Sequence, residues 1–144
     1  MIRLALFRLK VIRSEQLTLD NREMSNSTVI RTAIEEKPNA ELRRGHEWRI
    51  GNLQVVDDRS LYFALGRTTR FTVDVFDEDV GEFRQEEFDT APYTHVLVDY
   101  EHQVLAVAAK PVLSPYVKTI ARQAERLLNT TEIATLQGLR FEVS

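Results

Sequence analysis

Over much of this chain apolar and polar positions alternate with period two, and in two places they switch to a helical period. The stretch 93–110, YTHVLVDYEHQVLAVAAK, organises the rest. Two apolar, β-branched-rich runs, 95–98 and 104–109, flank the polar patch Asp99-Tyr100-Glu101-His102-Gln103, a spacing that predicts a β-hairpin. Val104, Ala106 and Ala108 oppose Leu105, Val107 and Ala109, so both faces of the second strand are apolar and it is expected to be buried on two sides. Behind it, Val117, Ile120, Ala121, Ala124, Leu127 and Leu128 fall on one stripe of a helix expected over 114–129, with Ser114 as its cap and Pro115 in its first turn. This helix is the expected cover for one face of the hairpin.

The same reading extends to both ends. Residues 2–12 predict an interior strand whose far end emerges at Arg8 and Lys10. A polar loop over 13–25 leads to a short helix to about residue 37, capped by Asn26 or Ser27 and stopped by Pro38. Over 47–56, Trp48 and Ile50 point inward, with Leu53 and Val55 joining them if the parity change at Gly51-Asn52 is a bulge. Turns at 57–60 and 66–69 bracket a strand over 61–65. A further strand over 70–76 alternates Phe71, Val73 and Val75 against Thr72 and Asp74. Residues 77–92 read as a long acidic connection, 131–136 as a turn, and 139–143 as a last strand. The expected order is β-α-β-β-β-β-β-α-β: an α+β fold, with two helices packed on a largely antiparallel sheet of six or seven strands.

A chain of 144 residues with 43% hydrophobic and 28% charged content fits a single globular domain, 1–144. The final strand running straight into Ser144 is compatible with the N-terminal domain of a longer protein. A net charge of −3 argues no bulk attraction to nucleic acid or anionic membranes. There are no cysteines, so disulfides, thiolate metal sites and a cysteine nucleophile are excluded together. The opening MIRLALFRLKVI is interrupted by Arg3, Arg8 and Lys10 and lacks a cleavage site, unlike a signal peptide. A cytoplasmic location is expected, and the sequons at Asn26 and Asn129 are read as accidental.

Candidate chemistry is sparse. Between Asp74 and Asp89 eight carboxylates face the single Arg84. Asp77-Glu78-Asp79-Val80-Gly81-Glu82 fails as a calcium loop, because glycine falls fifth rather than sixth. Asp77, Glu78, Asp79, Glu82, Glu86 and Glu87 are therefore read as a solvated loop or a docking surface for a basic partner, not as metal ligands. Lys118, Arg122 and Arg126, at i, i+4 and i+8, form a basic ridge opposite the apolar stripe of their helix. It suits a phosphate backbone, or the acidic stretch of this chain or of a second copy.

Asp99 and His102 are the candidates for an acid–base pair, if the hairpin tip is tight; turn capping is the alternative reading. His95 would lie roughly 13 Å from His102 along the strand, too far to share a metal. A nuclease core would need acid-x-Lys where Ala108-Ala109-Lys110 stands. Gly51, Gly66 and Gly81 are isolated glycines and cradle no phosphate. Trp48, Tyr62, Phe63 and Phe71 alternate as core residues do.

The passage 93–128 resembles front domains of bacterial defence and mobile-element proteins, though no motif carries the likeness and no fold, site or activity follows from it. The function expected is a non-enzymatic protein-interaction or self-association module, with a protein partner or a second copy, no cofactor, no metal and no membrane. Nucleic-acid binding through the basic ridge is the second reading, and an enzyme of unrecognised type the third.

Overall fold

The computed structural model describes residues 2–14 and 24–144. It contains the strands β1 (Leu4–Arg13), β2 (Asn39–Arg43), β3 (His46–Val55), β4 (Ser60–Asp77), β5 (Glu82–Thr90), β6 (Tyr93–Asp99), β7 (Val104–Ala108) and β8 (Leu139–Val143). The helices are α1 (Asn26–Glu35), after β1, and α2 (Val117–Leu128) and α3 (Glu132–Leu136), both between β7 and β8. The strands build one antiparallel sheet in the order β2-β3-β4-β6-β7-β1-β8, curled like half a barrel. The α+β architecture is as the hydrophobic pattern predicts; its element order is richer. Most of the polar stretch expected as a loop over 13–25 lies outside the described residues.

The core sits on the concave face. Odd positions of β4 (Leu61, Phe63, Leu65) and of β7 (Leu105, Val107) meet even positions of β6 (Val96, Val98) there, as their antiparallel registers require. Leu9 from β1 and Phe141 from β8 extend this layer, and Trp48 and Ile50 close its other end. The predicted stripe of α2 roofs it: Ile120, Ala121, Ala124, Leu127 and Leu128 are all buried. From α1, Val29, Ile30, Ala33 and Ile34 join the same cluster. A roof on one side of an antiparallel sheet suffices, because alternate side chains can leave the opposite face to solvent.

That opposite face corrects two expectations. β1 is not interior, since its Leu4 and Leu6 are 64% and 73% exposed, and Leu97 of β6 is 45% exposed. The hairpin's second strand, β7, is buried on both faces as expected, Leu105 and Val107 on one and Ala106 and Ala108 on the other. Ala106 and Ala108 are buried on this side only because they are small and lie between larger neighbours. Likewise β1 does not emerge at Arg8; its even positions are exposed from the first turn of the pleat onward.

Further differences follow from local physics. The bulge at Gly51-Asn52 is present, with a register shift between Gly51 and Gln54 and Asn52 in the left-handed region. It returns Leu53 to a half-buried position but leaves Val55 exposed. The cap of α1 is Ser25 rather than Asn26 or Ser27; its hydroxyl accepts from the Thr28 amide at 3.2 Å. The helix α2 starts at Val117, not Ser114, since the Ser114 hydroxyl is spent on the Tyr116 amide and the preceding turn closes on the Lys110 carbonyl. The turn expected over 131–136 is the helix α3. Its first amides, from Glu132 and Ile133, are capped across the fold by the Glu36 carboxylate at 2.8 and 3.0 Å.

The largest difference concerns β4. The turn expected at 66–69 is absent, and 18 residues run as one strand. Its first half pairs with β6, and its second half with β5 in the register Phe71↔Phe88 to Asp77↔Glu82. The acidic connection expected over 77–92 is therefore the outer half of a two-stranded arm that leaves the sheet.

Candidate interaction surfaces

The arm is amphipathic without a core to lean on. Phe71, Val73 and Val75 continue the odd parity that buries Leu61, Phe63 and Leu65, but beyond Thr69 neither α2 nor a neighbouring strand on the β3 side accompanies them. Phe71 consequently stacks on Phe88, with ring centroids 5.9 Å apart. On the opposite face near the tip Phe76 meets Phe83 at 4.9 Å, and Phe83 is 83% exposed. Val80 is exposed in the turn itself, where Gly81 adopts the positive φ that closes it. The Phe76–Phe83 pair leaves an apolar area at the tip of the ribbon open to solvent.

Charge clothes these apolar pairs. Arg84 bridges Asp77 at 3.5 Å and Glu86 at 2.8 Å on one face, while Arg70 meets Asp89 at 3.2 Å and Glu87 at 3.9 Å near the base. Asp77 also accepts from the amides of Asp79 and Val80, which holds the tip turn. Glu78, Asp79 and Glu82, together with Asp74, make no ion pair among the described residues. The six carboxylates singled out in the sequence thus divide: Asp77, Glu86 and Glu87 are partly neutralised within the arm, and Glu78, Asp79 and Glu82 are not.

The basic ridge is present as expected. Lys118, Arg122 and Arg126 are exposed along α2, and none of them meets a carboxylate among the described residues; Arg126 reaches only the Gln123 side-chain oxygen at 3.5 Å. Two exposed apolar side chains, Tyr116 and Val112, stand at its N-terminal end. The Arg67 guanidinium anchors that end by donating to the carbonyls of Leu113 and Val112 at 2.9 and 3.0 Å. Arm and ridge are not joined to each other by any ion pair among the described residues.

Asp99 and His102 are brought together, with Nδ1 of the imidazole 2.9 Å from Oδ2. The geometry is that of a turn cap: Oδ1 accepts from the amides of His102 and Glu101 at 2.9 and 3.1 Å, across a four-residue tip rather than a two-residue one. The His102 amide above all, then the His102 imidazole and the Glu101 amide, hold the Asp99 carboxyl below its ordinary value, against partial desolvation. His95 lies elsewhere, on the open face of the sheet, its Nδ1 2.6 Å from the Tyr62 hydroxyl. Tyr62 and Phe71, read as core, are half-buried and exposed respectively.

A cleft of about 420 Å³ opens at the base of the arm, lined by Glu41, Glu47, Arg49, Arg70 and Asp89. Its carboxylates are engaged: Glu41 accepts from the Gly45 amide, Glu47 pairs with Arg49 and Asp89 with Arg70. Among the described residues no three His, Asp or Glu side chains converge as metal ligands would, and no helix is long and apolar enough to cross a membrane.

The arm's aromatic pairs are what residue-by-residue reasoning missed. The alternation of Phe71, Val73 and Val75 was the available signal, but it could not tell a buried strand from one that outruns its roof. Comparison with known proteins adds no relative: no family model, no curated protein and no solved structure matches this chain.

Proposed function

We propose that this chain is a protein-interaction and self-association module, with the β4–β5 arm as its docking element. A single observation carries the reading: the apolar alternation of β4 persists through Phe71 and Val73, which stay 42% and 37% exposed where no strand but β5 pairs with β4 among the described residues. An isolated two-stranded ribbon is marginal in water. Leaving large apolar side chains exposed forgoes about 1.5–3 kcal/mol for each that a partner would fully cover. The open sheet face around Leu4, Leu6 and Leu97 adds a second uncovered apolar area to the same argument. The complete lack of cysteine suits a reducing compartment, and we place the module in the cytoplasm on that basis.

Light scattering over a wide range of protein concentration, together with recovery of partners on the immobilised chain, tests the reading. Concentration-dependent association, or capture that is lost when Phe76 and Phe83 are both changed to Ser, supports it. A strict monomer that captures nothing refutes it.

The second reading, nucleic-acid binding, rests on the absence of any carboxylate partner for Lys118, Arg122 and Arg126 among the described residues. It predicts DNA or RNA binding that weakens steeply with salt and is lost on triple alanine replacement of those residues. No binding at low salt ends it.

A further inference from the structure

We infer that the arm of one copy docks on the α2 ridge of a second copy, and that the exchange is reciprocal, giving a closed two-fold dimer. The inference rests on the self-association reading above and adds to it which surface meets which. Its ground is a double complementarity between two surfaces of this chain that do not meet each other within it.

The first complementarity is of charge. Asp74, Glu78, Asp79 and Glu82 lack ion-pair partners on the arm, and Lys118, Arg122 and Arg126 lack them on the ridge, among the described residues. The extents are comparable: from Asp74 to Asp77, where β4 ends, the strand covers roughly 10 Å, with Glu78, Asp79 and Glu82 following at the turn, and from Lys118 to Arg126 a helix rises roughly 12 Å. The second complementarity is apolar. Phe76, Val80 and Phe83 are exposed at the tip of the arm, and Tyr116 and Val112 are exposed where the ridge begins. An arm whose tip is laid on the ridge sets Phe76, Val80 and Phe83 beside Tyr116 and Val112, and the carboxylates around that tip against the cations, the layout of an apolar anchor with a polar rim.

Within one molecule the pairing is not made. Val112 borders the base of the arm, beside Thr69, Thr90 and Pro92. The tip stands roughly 27 Å further out along the ribbon. Between two molecules the same two patches face each other twice when the copies are related by a two-fold axis, so the contact closes and does not propagate into a filament.

Charge-swapped variants decide the matter. One carries Asp74→Lys, Glu78→Lys and Asp79→Lys; the other carries Lys118→Glu, Arg122→Glu and Arg126→Glu. All six positions are exposed, so both variants should keep the wild-type circular dichroism and melting behaviour, which is checked first. Sedimentation and light scattering should then show a wild-type dimer that weakens with salt, each variant alone at least tenfold weaker, and a dimer restored in their equimolar mixture. Only in the mixture do a basic arm and an acidic ridge, and an acidic arm and a basic ridge, meet across one axis.

A wild-type dimer that both variants form with unchanged Kd overturns the inference and leaves self-association standing through another surface. Loss of dimer in each variant without recovery in the mixture also overturns it. A ridge variant that loses binding to a DNA or RNA oligonucleotide while keeping its oligomeric state overturns it in favour of the nucleic-acid reading. A wild type that is monomeric at every concentration overturns it too, and partner capture alone then decides the broader reading.

Discussion

A methyl group placed on Gly66 would stand 2.6 Å from the carbonyl oxygen of Pro92 and 2.8 Å from Cβ of Tyr93. Gly66 is where β4 passes from the sheet into the arm, and Pro92-Tyr93 is where the chain returns from the arm to β6. The Arg67 amide donates to the same Pro92 carbonyl at 3.1 Å, so outgoing and returning chains are clamped against each other at this point. Only a residue without a side chain allows that approach. Gly66→Ala should therefore cost about 1–3 kcal/mol through forced displacement of backbone. Thermal unfolding should show a midpoint several degrees lower; an unchanged midpoint would mean that the base of the arm has room to give.

Stability should be insensitive to the tip. Phe76 and Phe83 touch each other and solvent, so Phe76→Ser and Phe83→Ser should each change unfolding free energy by less than about 1 kcal/mol. Phe63, fully buried under α2, should by contrast lose about 3–5 kcal/mol on truncation to Ala. Denaturant titrations of the three variants under one condition make the comparison. A large loss at the tip would mean that the arm packs against the body of the domain.

Asn129 substitutes for a strand. Its amide nitrogen donates to the Phe141 carbonyl at 3.0 Å, and its amide oxygen accepts from the Phe141 amide at 2.7 Å, so a side chain at the end of α2 pairs with β8 as a backbone would. Asn129→Ala leaves both Phe141 groups without partners and should cost about 1–3 kcal/mol. Faster hydrogen exchange at the Phe141 amide is the direct readout. The same engagement sets this asparagine apart from an accessible glycan acceptor.

Acid should loosen the hairpin tip. The Asp99 carboxyl titrates below its ordinary value of 3.8 because the His102 amide, helped by its imidazole and by the Glu101 amide, favours the charged form. A depressed carboxyl contributes stability that is fully present above the unfolded value and is lost as pH falls through the folded one. The stability gap between wild type and Asp99→Asn should thus be open at pH 6 and narrow below about pH 4. Asp57, lowered by the Ser60 hydroxyl and the Arg59 amide, moves in the same direction, so the variant and not the wild-type profile alone isolates Asp99. Equal gaps at pH 3 and pH 6 would contradict the assignment.

What the order of residues determined by itself is local or periodic. The two runs around residue 100 made a hairpin, the stripe from Val117 to Leu128 made the helix that roofs it, and the parity break at Gly51-Asn52 made a bulge. Each depends on neighbours within a few residues, and period two and period 3.6 are written in the chain. The candidate surfaces were half legible in the same way: the acids and the cations could be counted, and the helical spacing of Lys118, Arg122 and Arg126 put them on one ridge.

Tertiary structure alone decided which apolar faces are covered. Leu65 and Val73 alternate identically, yet the first is fully buried and the second is 37% exposed. The reach of a roof is set by how far helices extend over a sheet, a distance in space that no residue records. The cap that Glu36 gives to α3 joins positions 96 residues apart in the chain, so no window of sequence contains both partners. Gly66 belongs with that cap: read alone it is a turn, and only the returning chain at Pro92 explains why nothing larger fits.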